Sequence, residues 1–246
     1  MSRVWLRKKI RFAVALIALI ASAAVAWVVQ PYLVEPIKVS SAHLAKSMEN
    51  ALDPAGVLVS HDVNGKKEPI CEIFWAKMVP EVPLPEHPPT QNGYARVRQG
   101  AWVGVIHLLP EAIEDYFEDF ENQELKSGYY TMRYAVLQAG IGEHGPRSGD
   151  FVVLSPIALD ANPTRLLSID EMVRLGKAAS HGDQPARIQL VKVDEFGSSL
   201  PEVVTDQDGG GTLHFELKLA RSNAAPGEDL KIALLVIRPK PDLGGS

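Results

Sequence analysis

Apolar and polar residues alternate along much of the chain, and the places where the alternation stops mark its turns. "GVLVSHDV" and "EPICEIFWAKMV" lie on either side of "NGKK". Asn-Gly between two such runs is the strongest short hairpin cue, because a tight two-residue turn needs positive φ at both central positions. Further strand-like runs are "GAWVGVIHLL", "YYTMRYAVL", "FVVLSPIAL", "ARIQLVKVD", "PEVVT", "TLHFELKLA" and "LKIALLVI", with breakers such as "GSS", "DQDGGG" and "NAAPGED". "SSAHLAKSMENAL" predicts a short helix capped by Ser40 or Ser41. "SIDEMVRLGKAAS" predicts another, with a Ser168–Glu171 capping box and an apolar face of Met172, Val173 and Leu175. Short strands at this spacing define the expected class: mainly β, an antiparallel β-sandwich of about eight to ten strands with one short helix in its body.

One stretch has neither period. Phe12 to Val29, "FAVALIALIASAAVAWVV", runs eighteen residues without a charge or a proline. At 1.5 Å per residue it covers about 27 Å, close to a bilayer core. Phe12, Leu16, Leu19, Val25 and Trp27 represent its apolar surface, Trp5, Trp27 and Tyr32 fall where interfacial aromatics belong, and Pro31 ends the helix. A helix apolar all round is no surface helix of a soluble domain. Small-x-small sites at Ala21–Ala23 and Ala24–Ala26 allow a cleaved export signal; the length of the run favours an uncleaved single-pass anchor. The expected organisation is a cytoplasmic basic flank over 1–11, the transmembrane anchor or signal peptide over 12–30, a membrane-proximal linker with a helix over 31–55, and an exported β-sandwich over 56–246.

Charge sharpens that picture. Arg3, Arg7, Lys8, Lys9 and Arg11 precede the apolar run with no acid among them, which keeps this flank in the cytoplasm and sends the rest across. Setting those five aside leaves 20 Lys and Arg against 30 Asp and Glu, so the exported part carries about −10. Such a surface repels a phosphate backbone, which argues against nucleic acid as a partner. Cys71 is the sole cysteine, excluding an internal disulfide, a thiolate zinc cluster and covalent c-type haem. Its apolar setting reads as a buried thiol. "VPEVPLPEHPPTQNG", Val79 to Gly93, is proline-rich and reads as an extended, exposed strap.

Gln138 to Phe151, "QAGIGEHGPRSGDF", holds a G-x-G-x-x-G at Gly140, Gly142 and Gly145. A dinucleotide loop must open a helix whose N-terminus holds the pyrophosphate, yet Pro146 and another strand follow here. A kinase-type loop would require H-R-D and D-F-G, which the chain lacks. No nucleotide or other cofactor is expected, and the glycines read as turn residues in a connection of about eleven residues. Glu143, His144, Arg147 and Asp150 within that loop are the candidate interaction residues. With His61 on a separate strand, His144 and Asp150 also raise a metal-dependent hydrolase, although loop spacing fixes no geometry; no catalytic residue or metal ligand is assigned. Trp75, Trp102, Tyr94 and Tyr129 could form a sugar-stacking platform or lie in the core. His107 and His214, in strand runs, read as structural.

"LKSGYYTMRYAVLQAGIGEHGPRSGDFVVLSP" resembles a segment of exported or membrane-anchored bacterial β-rich proteins with the shape K-x-G-x-Y-T-x-R-Y … G-x-H-x-G … D-F-x-x-L-x-P. Lys126, Gly128, Tyr130, Thr131, Arg133, Tyr134, His144, Asp150, Phe151, Leu154 and Pro156 carry the match, and Arg147 is displaced from its usual place beside the acid. The resemblance implies an exported β-rich domain and no assigned activity. The combined expectation is a non-enzymatic, single-pass protein of the cytoplasmic membrane. Its C-terminal domain would lie in the periplasm or outside, as an accessory or scaffold subunit of an integral membrane protein complex. A carbohydrate or cell-wall-binding module and a metal-dependent hydrolase are the alternatives.

Overall fold

A computed structural model describes residues 32–39, 43–83, 85–86, 93–110, 123–137, 149–180, 184–192, 196–197, 199–206, 209–220 and 226–237. The anchor residues Phe12, Leu16, Leu19, Val25 and Trp27 and the basic flank lie outside the described residues.

The described residues form a mainly β fold with antiparallel sheets and few helices. Its strands are β1 (Tyr32–Lys38), β2 (Ala55–Val63), β3 (Lys66–Trp75), β4 (Val79–Pro80), β5 (Trp102–Leu108), β6 (Gly128–Leu137), β7 (Gly149–Pro156), β8 (Arg187–Gln189), β9 (Glu202–Thr205), β10 (Gly211–Ala220) and β11 (Pro226–Ile237). The helices are α1 (Lys46–Ala51) and α2 (Ile169–Gly176). One sheet has seven strands in the order β1-β2-β3-β5-β6-β7-β8, all neighbours antiparallel. In the other, β10 pairs with β11 along one edge and with β9 and β4 along the other.

The hairpin is as expected: Asn64 and Gly65 join β2 to β3 with φ of 56° and 82°. Asp62 Oδ1 accepts from the Gly65 N–H at 2.7 Å. The described residues form eleven strands; β1 falls in the expected linker and β4 in the proline-rich strap, and the other nine lie within the expected eight to ten. Pro36 hid β1 from a pattern reading; it is tolerated because β1 is an edge strand. A second correction concerns α1. It begins after Ala45, which gives no side-chain cap, and Ser41 and Ser40 lie outside the described residues.

The two sheets share one core, with Val57, Ile73, Met132 and Val152 from the first meeting Leu213, Leu217, Ile232 and Leu234 from the second. Trp75 stacks on Phe215 across it, ring centroids 5.4 Å apart. Beyond β8 the chain leaves the first sheet for the second, where Val191 donates its N–H to Ala233 O at 2.9 Å. Tyr32 Oη ties β1 to the second sheet by donating to Gly209 O at 2.8 Å.

α2 covers the opposite face of β6 and β7, burying Met172 and Leu175 against Ala135, Val153 and Leu167. Its capping box is present as expected: Ser168 Oγ accepts from the Glu171 N–H and Glu171 accepts from the Ser168 N–H. The Ser168 N–H first, and then the Ser168 hydroxyl, hydrogen-bond the Glu171 carboxyl and hold it below its ordinary range. With both faces covered, β5 and β7 are buried almost throughout, which explains their continuous apolar runs.

Candidate functional site

Of the candidate interaction loop, only Asp150 falls among the described residues; Glu143, His144 and Arg147 lie outside them, as do Gly140, Gly142 and Gly145. Asp150 is fully buried at the start of β7. Tyr134 donates its hydroxyl to Asp150 Oδ1 at 2.7 Å. Burial, and then the Asp150 charge, push the Tyr134 phenol far above its ordinary value. Tyr94 donates to Val191 O at 2.7 Å and accepts from the Ala233 N–H at 3.1 Å. Its phenol is pushed up to about 12, chiefly by burial. Asp150 therefore roots the loop in a buried polar cluster.

The residues that carry the family resemblance have structural tasks. Arg133 has no exposed surface, and each of its five N–H groups has an acceptor. Nε and Nη2 each reach an oxygen of Asp160 at 2.7 Å. The others reach the carbonyls of Asn162 at 2.7 Å, Arg165 at 2.6 Å and Gly100 at 3.4 Å. Thr131 donates to the same Asp160 oxygen at 2.7 Å, and Tyr130 donates to Lys126 O at 2.7 Å. Arg133 and Asp160 thereby bind the connection from β7 to α2 onto the sheet. Asp160 was not singled out in the sequence, since its partner lies 27 residues away on another strand.

The aromatic candidates do not form one platform. Tyr94 and Trp102 are buried, and Trp75 packs on Phe215. Tyr129 is half-buried and stacks with two histidines, His107 at 3.8 Å and His43 at 5.1 Å between ring centroids. His107 Nδ1 lies 2.8 Å from Glu72 Oε2, a pairing the sequence reading missed because it joins β3 to β5. Burial and the Glu72 charge both raise the Tyr129 phenol. His61 packs against Tyr32 in a tilted arrangement, ring centroids 5.0 Å apart, and is separated from Asp150 by three intervening strands. Among the described residues, no three His, Cys, Asp or Glu side chains converge in a way that could hold a metal ion.

The most open feature lies on β10. β9 pairs with Gly211–His214 and β4 with Leu219 and Ala220, so Phe215–Lys218 has no strand on that edge among the described residues. Pro201, with no N–H to donate, ends the β9 ladder at this point. On the other side the chain before β4 is held by the first sheet and by α1, Ala76 N–H donating to Val103 O in β5 at 2.8 Å and Lys77 N–H to Ala51 O in α1 at 2.8 Å. It joins the second sheet only at Val79. The gap opens into a cavity of about 200 Å³ walled by Trp75, Phe215, Ala76, Leu200 and Pro201, with Asp53, Lys77, Glu216, Lys218 and Asp229 around it. Met78, 54% exposed, stands at the β4 end. The prolines of the strap and Pro201 were visible in the sequence; that their strands flank a single gap depends on register.

No protein-family model, curated protein or solved structure matches the chain.

Proposed function

We propose that the chain is a non-enzymatic binding domain held on the outer face of the cytoplasmic membrane by its N-terminal apolar helix, serving as an accessory or scaffold subunit of a membrane protein complex. The observation that carries this reading is the interrupted edge of β10 beside a cavity with apolar walls and charged residues around it. Where Phe215–Lys218 has no strand on one edge among the described residues, β10 offers main-chain groups and a pocket together, as a recognition surface requires. The apolar run at 12–29 and its basic flank supply the membrane attachment and the orientation.

The test is purification of the tagged full-length chain from membranes in mild detergent. A stoichiometric integral membrane partner is expected to accompany it. Migration as an isolated chain, from membranes solubilised under several mild conditions, would sink the scaffold reading.

A further inference from the structure

The gap on β10 has a chemistry specific enough to define its occupant. Ala220 turns its carbonyl to this edge, accepting from the Glu81 N–H at 2.9 Å. Strand groups alternate between edges every two residues, so Glu216 and Lys218 direct their N–H and C=O groups to the same side. Glu216 finds no main-chain partner there among the described residues, and Lys218 keeps its N–H free of one, its carbonyl being taken up where Val79 pairs with Leu219. An edge offering donor and acceptor from alternate residues is matched by another extended peptide backbone.

From this geometry we infer that the gap binds a short extended segment of a partner protein, paired antiparallel to Phe215–Lys218. The inference rests on the binding reading above and gives that site its ligand. Three partner residues lie opposite Glu216, Leu217 and Lys218, roughly 10 Å at about 3.3 Å per residue. The outer two lie opposite Glu216 and Lys218 and place their side chains on the outer face beside them. The middle one points inward, as Phe215 and Leu217 do, toward the cavity walled by Trp75, Phe215, Leu200 and Pro201. The middle residue is therefore apolar, of Leu or Phe size. Cross-strand pairing favours a basic residue opposite Glu216 and an acidic one opposite Lys218. Read from N to C, the recognised segment is acidic–apolar–basic. β9 and β4 close the two ends, so the bound segment stays short and its chain turns outward on either side.

The probe is a capped pentapeptide, Thr-Asp-Leu-Lys-Thr, added to the full-length chain in detergent micelles and followed by site-resolved hydrogen exchange. Slowed exchange at the Glu216 and Lys218 amides is expected. Weakening by about tenfold or more is expected when the central Leu is replaced by Gly or the backbone is N-methylated on its pairing side. Exchanging the Asp and Lys of the peptide weakens binding less. Lys218→Pro removes one donor of the open edge without removing an internal hydrogen bond, and is expected to lose the peptide. Lys218→Ala keeps the main chain and retains it; should the proline variant fail to fold, this variant and the N-methylated peptide still decide the matter.

Four results would overturn the inference. These amides could already be protected in the free monomer, or protected by concentration-dependent dimerisation, which would make a second copy the occupant. The pentapeptide could leave them unchanged at millimolar concentration while chitohexaose protects the site. Lastly, a membrane partner could co-purify undiminished with folded Lys218→Pro, which would leave the scaffold reading standing and remove this one.

Discussion

At the scale of single residues, two buried groups govern most of what can be tested. Arg133 carries a full charge with no exposed surface, compensated by Asp160 and three carbonyls. Breaking such a pair costs more than replacing it, since the remaining ion has no solvent. Arg133→Met is expected to lose about 3–5 kcal/mol in urea unfolding. Arg133→Lys loses much of this too, because an ammonium cannot grip Asp160 in a fork and reach three carbonyls. A loss below about 1 kcal/mol for either variant would show that the cluster is dispensable. His214 supplies the second test. It is buried on β10 against Phe196, its Nδ1 lying 3.5 Å from Glu202 Oε1. Burial holds its pKa below the ordinary value, and Glu202 opposes this less strongly. The unfolded chain therefore takes the proton first as pH falls. Stability from the neutral imidazole is present above the unfolded pKa, about 6.5, and drains away below it. The urea midpoint of the wild type should fall more steeply between pH 7.5 and 5.5 than that of His214→Leu. Equal slopes would mean that His214 does not contribute to the pH dependence.

The elements were legible where local chemistry decides them and obscure where pairing does. Asn64-Gly65 announces its own turn, and Ser168 with Glu171 its own helix start; both stand where the pattern placed them. The runs of β5 and β7 were equally plain, because two covered faces demand continuous apolar sequence, and β10 showed the alternation of a strand with one outer face. β1 was missed because its glutamate, proline and lysine are permitted only by an edge position, which no local window reports. β4 was missed because two residues make no pattern. Gly100 shows the same limit at one position. Its φ of 77° and its approach to Leu167 O leave no room for a Cβ, 1.9 Å from that oxygen were one present. The sequence offers a glycine before a strand; the reason for it comes from the segment that leads into α2. The candidate site divides similarly. Asp150 was expected as an interaction residue of its loop; it lies instead fully buried in β7 with Tyr134 donating to it, a placement that follows from the pairing of β6 with β7. The β10 gap was invisible because it is a difference between two strand lengths.

At the scale of the whole domain, one residue reports on the folded state of the described body. Cys71 is the sole thiol of the chain, has no exposed surface, and lies in the core shared by the two sheets. Burial, and then the adjacent Glu72 charge, push its pKa far above the usual thiol range, so almost none of the reactive thiolate exists in the folded protein at neutral pH. Local fraying of β1 or of the loops does not reach it, because β3 is paired on both edges, with β2 and β5. Alkylation by a maleimide should therefore require global opening and track the unfolding equilibrium when refolding outpaces labelling. In native buffer the full-length chain is expected to label slower than its urea-unfolded form by a factor close to its unfolding constant, on the order of 10³ or more for a stable domain. Arg133→Met should accelerate native labelling by the same factor that its urea midpoint implies, although Arg133 and Cys71 lie on opposite sides of the first sheet. Fast labelling of the wild type, or labelling indifferent to Arg133, would mean that the two sheets open independently and the shared core does not hold them as one unit.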